Sequence, residues 1–166
     1  MKQVNYRECM KTALEGGKPE GAVPIWELHF HCWDQAAGEP IVIGRAFEQL
    51  SATEQDKALD RNAHLMATVA ERLHFAAITI PDGFWETAPG TPSYYWLPSE
   101  ARCKLAERLA RLIGDRIMIV AAVGGVMGMP GPADYIEFSY KLVDAPEEVD
   151  EIAQRVYASG IETAKR

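Results

Sequence analysis

Residues able to do chemistry gather in three places along the 166-residue chain. The first is Glu27-Leu28-His29-Phe30-His31-Cys32, where a carboxylate and two imidazoles recur at every second position. The second is Asp82, which closes the apolar run Ala76-Ala77-Ile78-Thr79-Ile80-Pro81 and precedes Gly83. The third is the glycine-rich stretch Gly124-Gly125-Val126-Met127-Gly128-Met129-Pro130-Gly131, with Asp134 and Tyr135 just beyond it.

Each place suggests a different kind of chemistry. Two histidines two residues apart on one strand face can hold Zn²⁺ if a third donor joins them, and Glu27 or Asp82 would be the natural choice. The same pair can equally sit hydrogen-bonded to carboxylates in a polar pocket, because no Cys-x-x-Cys cluster accompanies it. Asp82 at a strand end can accept N–H bonds or act as an acid–base group, although Pro-Asp-Gly is also ordinary turn chemistry. The glycine-rich stretch is neither G-x-G-x-x-G nor a phosphate-binding loop with Lys-Ser/Thr. Close backbone approach to a neighbour or a ligand explains it better. Trp85, Tyr94, Tyr95 and Trp96 flank a Pro/Gly-rich loop and could wall a flat conjugated ligand or cover one end of the fold.

These residues need elements to position them. Asn5 with Glu8 signals a helix start, and Ser51-Ala52-Thr53-Glu54 signals a second. In that longer helix Leu59, Ala63, Met66, Ala70 and Leu73 step by three and four, the spacing of a buried stripe. Residues 22–32 alternate, with Trp26, Leu28, Phe30 and Cys32 on one face and Glu27, His29 and His31 on the other, which predicts a strand. Ala76–Ile80 and Ile117–Val123 predict two more. Ser99 is expected to cap a helix through Ile113, and a further helix is expected near 133–142. Asp144, Pro146 and Glu147 are expected to open the last one as a capping box, with Val149, Ile152, Ala153, Val156 and Ile161 facing inward. The predicted order is a helix, then β-α-β-α-β-α, which implies a parallel sheet with right-handed crossovers.

Composition limits the alternatives. The 17 Lys+Arg against 24 Asp+Glu leave a net charge of −7, which disfavours nucleic acids and anionic membrane surfaces as partners. The amino terminus shows no secretory pattern. The longest apolar run, 117–130, is too short and too glycine-rich to cross a bilayer. Three separated cysteines, Cys9, Cys32 and Cys103, do not suggest a disulfide framework. A cytoplasmic, reduced, soluble protein of one domain over residues 1–166 is expected, its residues 1–21 a helical extension and 22–166 the α/β body.

Val23-Pro24-Ile25-Trp26, Ile78-Thr79-Ile80-Pro81-Asp82, Val123-Gly124-Gly125 and Asp144-Ala145-Pro146-Glu147-Glu148-Val149, in that order and spacing, resemble the first half of the uroporphyrinogen decarboxylase family. That family also contains methyltransferases that move methyl groups from corrinoid carriers to thiols. The resemblance covers nearly the whole chain and implies a partial (β/α)₈ barrel: an N-terminal helix and about three βα units. It assigns Asp82 to the aspartate that binds pyrrole N–H groups and stabilises the protonated intermediate, and Tyr135 to the tyrosine after the third strand. Around them Glu27, His29, His31, Trp85, Gly124 and Gly125 would line the substrate site. Where the decarboxylases carry an arginine-rich carboxylate clamp, this chain reads His29-Phe30-His31-Cys32-Trp33. Loss of those guanidinium forks points to a divergent, methyltransferase-related member binding a tetrapyrrole, a corrinoid or a small methyl donor.

A complete barrel takes about 250 residues, and the family's zinc ligands lie in its second half. Three parallel strands alone would leave open edges. The chain is therefore expected either to be a fragment or to pair with a second copy or a partner chain that supplies the rest. Two alternatives to an enzyme of this family stay open: a non-catalytic half-barrel subunit, and a small zinc enzyme built on Glu27, His29 and His31.

Overall fold

The computed structural model describes residues 5–82 and 95–165. They form two compact units, Met1–Ala121 and Ala122–Arg166.

In the first unit the order is α1 (Tyr6–Leu14), α2 (Trp33–Ala37), α3 (Gly44–Glu48), α4 (Ala52–Arg72), β1 (Ala77–Thr79), α5 (Ser99–Ile113) and β2 (Met118–Val120). The α4 start follows its sequence: the Ser51 side chain accepts from the Glu54 N–H, and the Glu54 carboxylate returns to the Ser51 N–H at 2.9 Å. These bonds also hold the Glu54 carboxyl below the usual carboxylate range, with the Ser51 hydroxyl as the largest cause. Asn5 caps α1 through the Glu8 N–H at 3.1 Å. Leu59, Ala63, Met66 and Ala70 bury one face of α4. Opposite them stand Leu105, Leu109 and Ile113 of α5, and Ile78 and Ile80 on or just beyond β1. Full burial of each large aliphatic side chain stabilises the unit by about 1.5–3 kcal/mol.

β1 and β2 run parallel, with Ala77, Ile78 and Thr79 opposite Met118, Ile119 and Val120. The Ile80 N–H extends the ladder to the Val120 carbonyl at 2.9 Å. With α5 between them the two strands make one β-α-β unit.

The expected partial barrel of three βα units is not what the chain forms. The described residues are 56% helical and include only two short strands, so this is a mostly helical fold. The missing strand is that of residues 22–32. Only Ile25 reaches the sheet, as a lone parallel bridge to Phe75, its carbonyl accepting from the Ala76 N–H at 2.7 Å. Pro24 has no N–H to offer a ladder, and the chain turns at Leu28–His29. Alternation in the sequence therefore describes a segment laid against β1 at one point. It is followed by α2 and α3, for which the sequence reading had no elements.

The second unit holds α6 (Tyr135–Asp144) and α7 (Pro146–Ala164). Pro146 takes the first turn of α7 as expected, but Ala145 is its N-cap and no side chain caps it. Asp144 cannot serve, because it is itself the last residue of α6. Likewise Pro98 holds the N-cap position of α5 and Ser99 is its first helical residue. Among the described residues no helix is long and apolar enough to cross a membrane.

Candidate functional site

The carboxyl end of β1 collects most of the chemistry. Thr79 is buried, and its hydroxyl accepts from the Trp26 indole N–H at 2.9 Å. That bond fastens the 25–31 segment over the strand end. Phe30 anchors the same segment from below, edge-on to Trp33 at 4.8 Å and to Phe75 at 5.2 Å. His29 and His31 follow on either side of Phe30, their rings 6.2 Å apart and within 22° of parallel.

Both imidazoles meet Tyr95, which is 2% exposed. His31 stands edge-on to it at 5.1 Å and His29 at 6.2 Å. The phenol oxygen accepts from the buried Trp33 indole N–H at 2.8 Å. Burial pushes the Tyr95 phenol well above its ordinary range; the Trp33 bond works the other way, and the charge of Asp82 adds to the rise. Tyr95 is thus a neutral hydroxyl across the physiological range. Burial also lowers the His31 pKa, with the neighbouring His29 charge as the second cause. An imidazole of that kind is a neutral lone-pair donor near pH 7.

Of the residues singled out from sequence, His29 and His31 come together here on Tyr95, and Asp82 is near enough for its charge to act on the Tyr95 phenol. Glu27 is exposed nearby, and its carbonyl rather than its carboxylate approaches the Thr79 hydroxyl, at 3.5 Å. Trp85 lies outside the described residues. Cys32 is exposed at the N-cap of α2. Among the described residues, no three His, Cys, Asp or Glu side chains converge as a metal ion requires.

Gly124, Gly125 and Tyr135 belong to the second unit. The glycines lie against α7, where a Cβ at Gly160 would collide with the Gly124 carbonyl and come within 2.5 Å of the Gly125 Cα. They border an open, mostly apolar groove of about 370 Å³ with Ile152, Arg155, Val156, Ser159 and Thr163. The contact holds position 160 to glycine, whereas a Cβ at Gly124 would meet nothing and one at Gly125 only the Gly160 Cα at 3.6 Å. Tyr135 is the exposed first residue of α6.

The chain has no match among family models, curated proteins or solved structures. The local geometry therefore carries the functional reading.

Trp33 and Thr79 are the site residues that sequence reasoning gave no role. Tyr95 was visible only as part of an aromatic cluster. Its hydrogen bond to Trp33 spans 62 positions, a separation that no local pattern reports.

Proposed function

We propose that this chain binds a planar conjugated macrocycle of the tetrapyrrole class at the carboxyl end of β1, as a divergent relative of the uroporphyrinogen decarboxylases and corrinoid methyltransferases. The observation that supports it is the convergence of His29 and His31 on the buried Tyr95, beside Asp82. The two half-buried imidazoles, backed by the buried Tyr95 ring, offer a wall suited to the face or rim of an aromatic ring system. Asp82 supplies a carboxylate able to accept the N–H groups at the centre of such a ring, and charge-assisted hydrogen bonds of this type contribute about 1.5–3 kcal/mol each. In this reading Asp82 is the polar anchor and the residue placed to stabilise positive charge on a protonated ring. His29 and His31 orient the ligand, standing where the decarboxylases carry arginines.

The test is a fluorescence titration of the purified chain with metal-free uroporphyrin, repeated with hydroxocobalamin as the corrinoid probe. Saturable binding by one of them is expected, weakened several-fold by His31→Ala and, for uroporphyrin with its inner N–H groups, roughly tenfold to a hundredfold by Asp82→Ala. Binding by neither probe, or unchanged uroporphyrin affinity in Asp82→Ala, overturns the reading.

A further inference from the structure

We infer that Thr79 is a positioning residue: its hydroxyl, acting through Trp26, sets the segment that carries His29 and His31 onto Tyr95. The use of that placement rests on the ligand reading above; the placement itself does not.

Thr79 is the one polar side chain in the run Ala76–Pro81, and it is 3% exposed. A buried hydroxyl needs hydrogen-bond partners, and an aliphatic side chain of the same shape would need none. Alternation along β1 sends Ile78 and Ile80 into the core with α4 and α5, and Ala77 and Thr79 to the opposite face. On that face Ala77 clusters with Met10 of α1. Thr79 meets the 26–27 stretch instead. Its hydroxyl accepts from the Trp26 indole N–H at 2.9 Å and lies 3.5 Å from the Glu27 carbonyl. Both partners stand just ahead of His29.

Little else fixes that segment. Its bridge to the sheet is at Ile25 alone, and the chain turns at Leu28–His29. Beyond the histidines' own contacts, two side chains pin residues 26–31 among the described residues: Trp26 on Thr79, and Phe30 edge-on to Trp33 and Phe75. They bracket the turn. Phe30 sets how deep the segment lies, but a contact between ring edges tolerates sliding. A hydrogen bond is directional, so the Trp26–Thr79 bond sets where the turn sits along the strand end.

The experiment follows the His31 imidazole by NMR through a pH titration of the full chain, alongside binding of uroporphyrin and hydroxocobalamin. His31 faces His29 and Tyr95, with Asp82 near enough to act on the phenol. Burial keeps its midpoint below the ordinary 6.5. A loosened segment admits water, so the midpoint should rise towards that value in Thr79→Val and in Trp26→Phe. Thr79→Ser keeps the oxygen and should hold the wild-type midpoint. In the Trp26→Phe background, Thr79→Val should move it no further, because the bond is already gone. Affinity for whichever probe binds should fall about threefold to tenfold in the same two single variants, the worth of one hydrogen bond. Trp26 is 38% exposed, so Trp26→Phe decides the matter if Thr79→Val disturbs the strand. An unchanged midpoint in both variants overturns the inference. So does a shift in Thr79→Val that Trp26→Phe does not reproduce. A wild type that binds neither probe overturns the ligand reading instead, and the His31 titration then decides the placement by itself.

Discussion

Replacing Tyr95 with Phe removes one oxygen from the floor of the ligand site and nothing else. That oxygen is the acceptor for the Trp33 indole N–H, which is buried with it. An orphaned buried donor costs about 1–3 kcal/mol, so Tyr95→Phe should lower the melting midpoint by roughly 3–10 °C. Hydroxyl removal alone predicts less, because Phe fills the same space. The two contributions separate in a double-mutant cycle with Trp33→Phe. In that background no indole N–H remains to be stranded, so the same Tyr95→Phe change should cost about 1 kcal/mol less or better. Urea unfolding followed by tryptophan fluorescence is the assay. All four tryptophans fall within the first 121 residues, so the signal reports the unit that holds the pair. Equal effects of Tyr95→Phe in both backgrounds would refute the claim that this hydrogen bond organises the site.

Two more perturbations follow from the same geometry. Gly160→Ala should loosen the second unit by about 1–3 kcal/mol, because the new methyl must displace the Gly124–Gly125 backbone; faster proteolysis or hydrogen exchange after residue 122, with the first unit unchanged, is the expected readout. His31 has a folded-state pKa below its ordinary 6.5. The unfolded chain therefore binds more protons as the pH falls past about 6.5. Stability from this group is complete above that pH and lost below it. The wild-type urea midpoint should drop more steeply between pH 7 and pH 5 than that of His31→Phe, and parallel curves would rule the effect out.

Local signals in the sequence were legible where the physics is local. Asn5 and Ser51-Glu54 mark their helix starts within a residue, because a cap satisfies backbone donors only two or three positions away. The buried stripe of α4 follows from spacing alone, up to Leu73, which falls at the half-exposed C-cap. Ladder hydrogen bonds run from the Ala76 carbonyl to the Ile80 N–H, whereas the strand expected at 117–123 ends at Val120. Residues 22–32 misled for a physical reason: alternation records which side chains can share a face, whereas a strand also requires a neighbour for its backbone. Pro24 and the turn at Leu28–His29 deny it one beyond Ile25. The site was half legible. His29, His31 and Asp82 announced themselves by type, while Trp33 and Thr79 became part of it only through partners more than 50 positions away. Gly124 and Gly125 lie against Gly160, and it is position 160, outside the glycine-rich stretch, that this contact holds to glycine.

Asn62 sits fully buried on α4, where its amide accepts from the Val42 N–H at 2.9 Å and donates to the Val42 carbonyl at 2.8 Å. One side chain thus imitates the edge of a neighbouring strand for a stretch of chain that has none. Aspartate offers no donor for the carbonyl, glutamine is one methylene too long, and alanine abandons both groups. In a scan of all substitutions scored by survival of the folded protein, position 62 should look as intolerant as an active-site residue. Sequence constraint at this position would measure the backbone's need for a partner, and it would mislead anyone searching for catalysis by intolerance alone.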